Sequence, residues 1–212
     1  YILFVASQYW VLNRLFGVDM LVSPLWAIKG LVFINQVLLF GLFLWLYLQI
    51  CRRFVRQRSV LVCLGLTAGF GTFLSTFAVS LNNHLPAAVC VLATIVLLIR
   101  IECDRRSGRL DYFSIGVMTA LSVTFELPAL SFLGLIGIWL LLRSPAQTLT
   151  FGAMGIGVVA AAFFACNFWA HGSLRPPYAH RSDGEVLEYL EQEDAALLVS
   201  GVVPDTLALF GG

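Results

Sequence analysis

Long stretches without a single charge decide what this chain can fold into. Residues 31–50, 85–99 and 148–168 contain no Asp, Glu, Lys or Arg. A helix needs about 20 mostly apolar residues to cross a bilayer, and runs of this kind match that requirement. Of the 212 residues, 59% are hydrophobic and only 12% are charged, against about 25% charged in ordinary soluble domains. In lipid every backbone polar group must be satisfied within the segment, so apolar runs of this length predict helices. The expected fold class is therefore all-α: a polytopic membrane helix bundle.

Candidate spans lie near 1–16, 31–50, 59–80, 85–99 and 148–168. The stretch from Asp111 to Arg143 is too long for one more. As a single helix it would extend about 50 Å against a hydrocarbon core of about 30 Å. Glu126-Leu127-Pro128 supplies a break, since proline removes a helix donor and a carboxylate is costly in lipid unless it faces protein, water or the interface. Two short segments, 112–125 and 128–142, bring the expectation to about seven membrane segments. The bundle would occupy residues 1–169. Residues 170–212 would form an extracytoplasmic loop and the start of a soluble tail, in which Glu185, Glu188 and Glu191 alternate with Val186, Leu187 and Leu190 as in an amphipathic helix.

Arginines orient the bundle. Arg52, Arg53, Arg56 and Arg58 occupy one loop, and Arg100, Arg105, Arg106 and Arg109 another, two spans further on. Loops 51–58 and 100–109 are thus expected on the cytoplasmic side, with Asn82-Asn83-His84 opposite. The chain opens on Tyr1 inside an apolar run and stops at Phe-Gly-Gly, which reads as a fragment of a longer protein. With a net charge of +1 and dispersed basic residues there is no stripe to neutralise a nucleic acid backbone. Membrane lipid is the expected partner instead. The five cysteines lie in or beside apolar runs without a Cys-x-x-Cys pair, so they read as small packing residues.

Three places could carry chemistry. Asn82, Asn83 and His84, followed by Leu85 and Pro86, offer amides and an imidazole to sugar hydroxyls or a phosphate. The same residues also suit a helix start, with Asn83 and His84 as caps and Pro86 in the first turn. Glu126 is either an interfacial carboxylate or a ligand, proton or catalytic group. The run from Asn167 to Arg181 displays His171, Arg175, Tyr178, His180 and Arg181 on a backbone stiffened by Pro176 and Pro177. It is either an aromatic and basic interfacial belt or a ligand wall in which Arg175 and Arg181 clamp a phosphate. His84, His171 and His180 lack metal-ligand spacing. Asp111 reads as a helix-start acid near Arg109. Gly65 with Gly69, and Gly152 with Gly155 and Gly157, read as close helix packing rather than a nucleotide loop.

Residues 1–17, Ser80 to Pro86 and Asn167 to Tyr178 together resemble the GT-C class of polytopic glycosyltransferases, in the polyprenyl-phosphate-sugar-using branch related to protein mannosyltransferases and aminoarabinose transferases. The opening segment is similar to the family helix that follows a Lys-Pro-Pro-Leu loop and ends in Leu-Phe-Gly. Ser80 to Pro86 is similar to a loop of Asn-His-Pro character. Asn167-Phe-Trp-Ala-His-Gly-Ser is similar to a pattern that closes a membrane helix, with His171 replacing the usual Phe and Pro177 standing where Gly often precedes Tyr.

The resemblance implies an enzyme of the bacterial inner membrane that uses a lipid-phosphate-linked sugar. It also implies an acid in the first extracytoplasmic loop, acting as base or metal-linked activator. That loop would precede Tyr1, so no residue here inherits the catalytic role. A divalent metal would belong to the parent, and the fragment alone would be inactive. Asn83 and His84 would position sugar or acceptor. The alternatives are a transporter or flippase with a polar site near Glu126, or a noncatalytic membrane assembly subunit.

Overall fold

A computed structural model describes residues 2–104, 108–172 and 174. Among them there are helices and turns and no strand. The chain divides into two compact units, Tyr1–Phe163 and Phe164–Gly212. Of the second unit, residues 164–172 and 174 are described, most of them the end of one helix.

Helix α1 (Ile2–Phe16) stops at Gly17, whose φ of 63° is the left-handed conformation that glycine adopts freely. The Gly17 amide donates to Asn13 O at 3.0 Å, and Asn13 Nδ2 donates to Val18 O at 3.1 Å. Asp19 then folds the turn by accepting from the Leu21 amide, and Pro24 starts the next helix at a position where a missing N–H costs nothing. Helices α2 (Pro24–Val32) and α3 (Leu38–Phe54) are joined without interruption by a π turn, Phe33–Val37. The 31 continuous residues exceed the 31–50 run expected. At about 46 Å they outreach the hydrocarbon core. Lys29 lies over the Trp26 ring near one end, and Arg52 and Arg53 close the other. These are residue types that settle at bilayer interfaces.

The run expected over 59–80 is not one helix. Helix α4 (Arg58–Phe70) ends at Gly71, and only a single turn, α5 (Leu74–Phe77), follows. Hydroxyls explain the break. Thr72 Oγ1 bonds back to Ala68 O, Ser75 Oγ to Thr72 O and Thr76 Oγ1 to Phe73 O, so local side chains compete with helix continuation. The break at Glu126-Leu127-Pro128 is present: α7 (Arg109–Phe125) ends there and α8 (Ala129–Arg143) begins beyond it. Helix α6 (His84–Cys103) precedes this pair. A short α9 (Pro145–Gln147) and a second π turn, Thr148–Gly152, lead into α10 (Ala153–His171). Among the described residues three helical stretches are long and apolar enough to cross a membrane: Pro24–Phe54, His84–Cys103 and Pro145–Trp169. Helices α1, α4, α7 and α8 have 15, 13, 17 and 15 residues and are shorter.

Within the first unit α6 packs against both α3 and α7. Ile101, Tyr112, Ile115 and Leu140 form a buried cluster shared by α6, α7 and α8. Glycine lets α7 and the second π turn touch backbone to backbone. A Cβ at Gly116 would fall 2.2 Å from Gly152 O, and one at Gly155 would fall 2.3 Å from Phe113 O. The predicted close packing at Gly152 and Gly155 is therefore real, while Gly157 faces open space. Gly65 and Gly69 likewise meet Leu48 and Leu44 of α3. Large apolar side chains cover much of the exterior, with Leu21, Phe70 and Leu142 more than four-fifths exposed. Water would not tolerate such a surface, and a bilayer would favour it.

The arginine-rich segments converge at one end of α6. Arg53 grips Asp104 with two hydrogen bonds of 2.7 and 2.9 Å. Arg143 Nε lies 3.3 Å from Glu102, and Arg100 lies 3.6 Å from Asp111. Asp111 is the helix-start acid expected, accepting from the Gly108 amide at 3.0 Å, but its arginine is Arg100 and not Arg109. Arg109 instead stacks over Phe151.

Candidate functional site

The opposite end of α6 is where the polar residues gather. Helix α7 packs back along α6, so the first turn of α6 meets the last turn of α7. His84 and Glu126, 42 positions apart in sequence, are thereby paired: His84 Nδ1 lies 2.5 Å from Glu126 Oε1. Glu126 Oε1 is buried and makes no hydrogen bond among the described residues, so the approach is one of proximity alone. Beside them, Asn83 Nδ2 donates to Phe125 O at 2.6 Å. That bond engages one of the carbonyls left without a helical partner where α7 stops.

Asn82 supplies the cap, rather than Asn83 or His84 as expected. Its Oδ1 accepts from the amides of His84 and Leu85 at 3.1 and 3.3 Å. Its Nδ2 donates to Phe77 O and Ser80 O at 2.9 and 2.7 Å, which ties the loop to α5. Pro86 falls in the first turn, where it displaces no helical hydrogen bond. With the loop so held, the Phe77 ring packs 4.8 Å from the His84 ring. Half of the His84 side chain remains exposed, and about a quarter of Glu126. Asn82 is thus committed to the fold, while His84 and Glu126 keep accessible surface.

Glu126 sits where the helix ends. Its backbone is extended, with φ −138° and ψ 109°, its amide still bonds Ser122 O, and its carbonyl receives the Ala129 amide. The carboxylate therefore belongs to the end of the α6–α7 pair that lies away from the arginines, not to its middle.

Two buried amides belong to the same neighbourhood and escaped the sequence reading. Asn35 and Gln36 lie in the first π turn, 1% and 0% exposed. Gln36 Nε2 donates to Asn82 O at 2.8 Å, joining the π turn to the loop. Asn35 Nδ2 donates to Leu31 O at 3.0 Å and makes a second, short bond to Gln8 of α1. Asn35 Oδ1 is buried without a hydrogen-bonding partner among the described residues. Extra turns of this geometry recur at functional sites, and a buried amide pair in an apolar helix is costly unless used. The signal was in the sequence: two adjacent amides inside an otherwise uncharged, apolar run.

His84 and Glu126 offer two donors, and among the described residues no group of three His, Cys, Asp or Glu side chains comes together. The backbone of His171 ends α10, and Gly172, at φ 66°, comes next with its amide on Phe168 O. Arg175, Tyr178, His180 and Arg181 lie outside the described residues, and so does the phosphate clamp drawn from them.

The fold and site define a class: among the described residues, an all-helical protein with three helices long and apolar enough to cross a membrane, carrying a polar cluster at the end of α6 opposite its arginines. No protein-family model, curated protein or solved structure matches the chain.

Proposed function

We propose that the chain is part of an integral-membrane glycosyltransferase that moves a sugar from a lipid-phosphate donor to an acceptor on the face opposite loops 51–58 and 100–109. One observation carries this proposal: Asn83, His84 and Glu126 converge at the end of α6 opposite its arginines. On this reading that end lies beside the interface where a lipid headgroup and an aqueous acceptor meet. In this scheme α1, the α4–α5 region, α7 and α8 join the three long helices to make seven membrane segments, the shorter ones accommodated by tilt or local thinning.

The chemistry is set by the donor and acceptor inventory. His84, with Nδ1 beside the Glu126 carboxylate, has its other ring nitrogen for a sugar or acceptor hydroxyl. As the acceptor oxygen bonds to the anomeric carbon, the bond to the phosphate oxygen breaks and charge collects on the leaving lipid phosphate. Arg175 and Arg181 stabilise that charge, and the acid that activates the acceptor comes from the parent's upstream loop.

A transport pathway is less well supported, because Glu126, its best candidate, sits at the end of α7 and is paired with His84. The deciding assay is lipid-sugar-dependent transfer by the full-length parent in proteoliposomes. Loss of transfer in His84→Ala and Arg175→Ala at unchanged expression supports the proposal. Substrate flux without covalent transfer would replace it with transport.

A further inference from the structure

The arginine-rich end holds a second candidate site, unrelated to the polar cluster. Helices α7, α8 and α10 enclose an apolar crevice of about 180 Å³, lined by Ile115, Thr119, Ile136, Leu140, Leu149 and Ile156 among others. Dry cavities of about 150 Å³ already admit a benzene ring, so there is room for a section of hydrocarbon chain. Gly137 stands on the wall, and a Cβ there would meet nothing within 4 Å.

Charge at this end is distributed unevenly. Arg53, Arg100 and Arg143 are each matched by an acid: Asp104, Asp111 and Glu102 respectively. Arg109 has no acid partner among the described residues; Arg52, Arg56 and Arg58 have none either, but Arg109 is the one whose guanidinium lies beside an aromatic ring next to the crevice. Its guanidinium lies 5.5 Å from the centre of the Phe151 ring. Phe151 is next in sequence to Gly152, which lines the crevice. Asp111, two residues away, is occupied by Arg100 and by the Gly108 amide. Ile115 and Thr119 lie six and ten residues along α7 from Arg109, or about 9 and 15 Å. That offset matches the distance from a headgroup phosphate to the upper and middle parts of an acyl chain.

We infer that the crevice and Arg109 together bind an anionic phospholipid of the surrounding leaflet, with its phosphate at Arg109 and one acyl chain between α7, α8 and α10. A soluble anion would have no use for the apolar depth, and a neutral lipid none for the unmatched guanidinium. Basic pockets between membrane helices recognise anionic headgroups in this way. The inference rests on the chain spanning a bilayer but not on the transfer reaction.

The test is native mass spectrometry of the full chain released from nanodiscs made of phosphatidylcholine with phosphatidylglycerol. Incorporation into the nanodisc reports the membrane placement separately from lipid retention. Preferential retention of phosphatidylglycerol is expected, falling about fivefold in Arg109→Ala. Gly137→Leu, which fills the crevice, should abolish it, whereas Gly134→Leu, an open position on the same helix, should leave it intact. Ala153→Leu fills the crevice from the facing wall and serves if Gly137→Leu misfolds. Equal retention of phosphatidylcholine, undiminished retention in the filled variant, or displacement by inorganic phosphate would each overturn the inference.

Discussion

Replacing Gly155 by Ala tests one of the two tightest backbone approaches described in the first unit. The added Cβ would lie 2.3 Å from Phe113 O and 2.9 Å from Val117 N, both backbone atoms that cannot swing aside. Carbon and carbonyl oxygen settle no closer than about 3.3 Å, so α7 and α10 must part by roughly 1 Å. Overpacking of this kind costs about 1–3 kcal/mol, while exchanging glycine for alanine in a helix returns about 1 kcal/mol. Gly157→Ala, two residues along the same helix, supplies the comparison. Its Cβ meets nothing within 4 Å, so it should keep the propensity gain alone. The two variants should therefore differ by about 1–3 kcal/mol, with Gly155→Ala the less stable. The difference can be read from reversible unfolding in mixed detergent micelles followed by circular dichroism. Gly116→Ala, whose Cβ would approach Gly152 O, should add to Gly155→Ala less than its own separate cost, because helices already parted make room for the second methyl. Equal stability of Gly155→Ala and Gly157→Ala would refute the backbone contact.

Asn82→Ala removes the acceptor for the His84 and Leu85 amides and should destabilise the start of α6 by about 1 kcal/mol, whereas Asn82→Asp should retain most of that cap in the same unfolding assay. Glu126→Gln should impair transfer by the full-length parent about as much as His84→Ala, and the double variant should lose little more, since the two side chains act as one contact. In an otherwise cysteine-free chain, an impermeant maleimide should label Cys103 and a cysteine replacing His84 from opposite faces of sealed vesicles. Labelling of both from one face would refute the proposed span through α6.

What could be read without coordinates was whatever is local. Uncharged runs announced the long helices, and Glu126-Leu127-Pro128 announced a break because proline acts on its own turn. The break at Gly71 was missed because no proline marks it. It depends on hydroxyls of Thr72, Ser75 and Thr76 turning back on carbonyls, and the same residues are tolerated inside helices elsewhere, as Thr94 and Thr119 show. The meeting of His84 with Glu126 needs tertiary structure, although the short link between α6 and α7 already implied an antiparallel hairpin that would bring those ends together. Asn35 and Gln36 could have been singled out by composition, but not their partners, Gln8 and Asn82, which come from other helices.

The first π turn takes up one residue without turning the helix. The Leu38 amide bonds Phe33 O five residues back, so Leu38 stands where the fourth residue would stand in a regular helix. Deleting a residue within Phe33–Val37 would therefore restore a regular helix while Ala27 and Leu31 on one side and Leu46 on the other kept their faces. The same deletion in the regular part of α3 would turn everything beyond it by about 100°. The turn is thus the one stretch of this long helix that can shorten by a codon without moving its packed faces, and what such a deletion would disturb is the buried amide pair of Asn35 and Gln36.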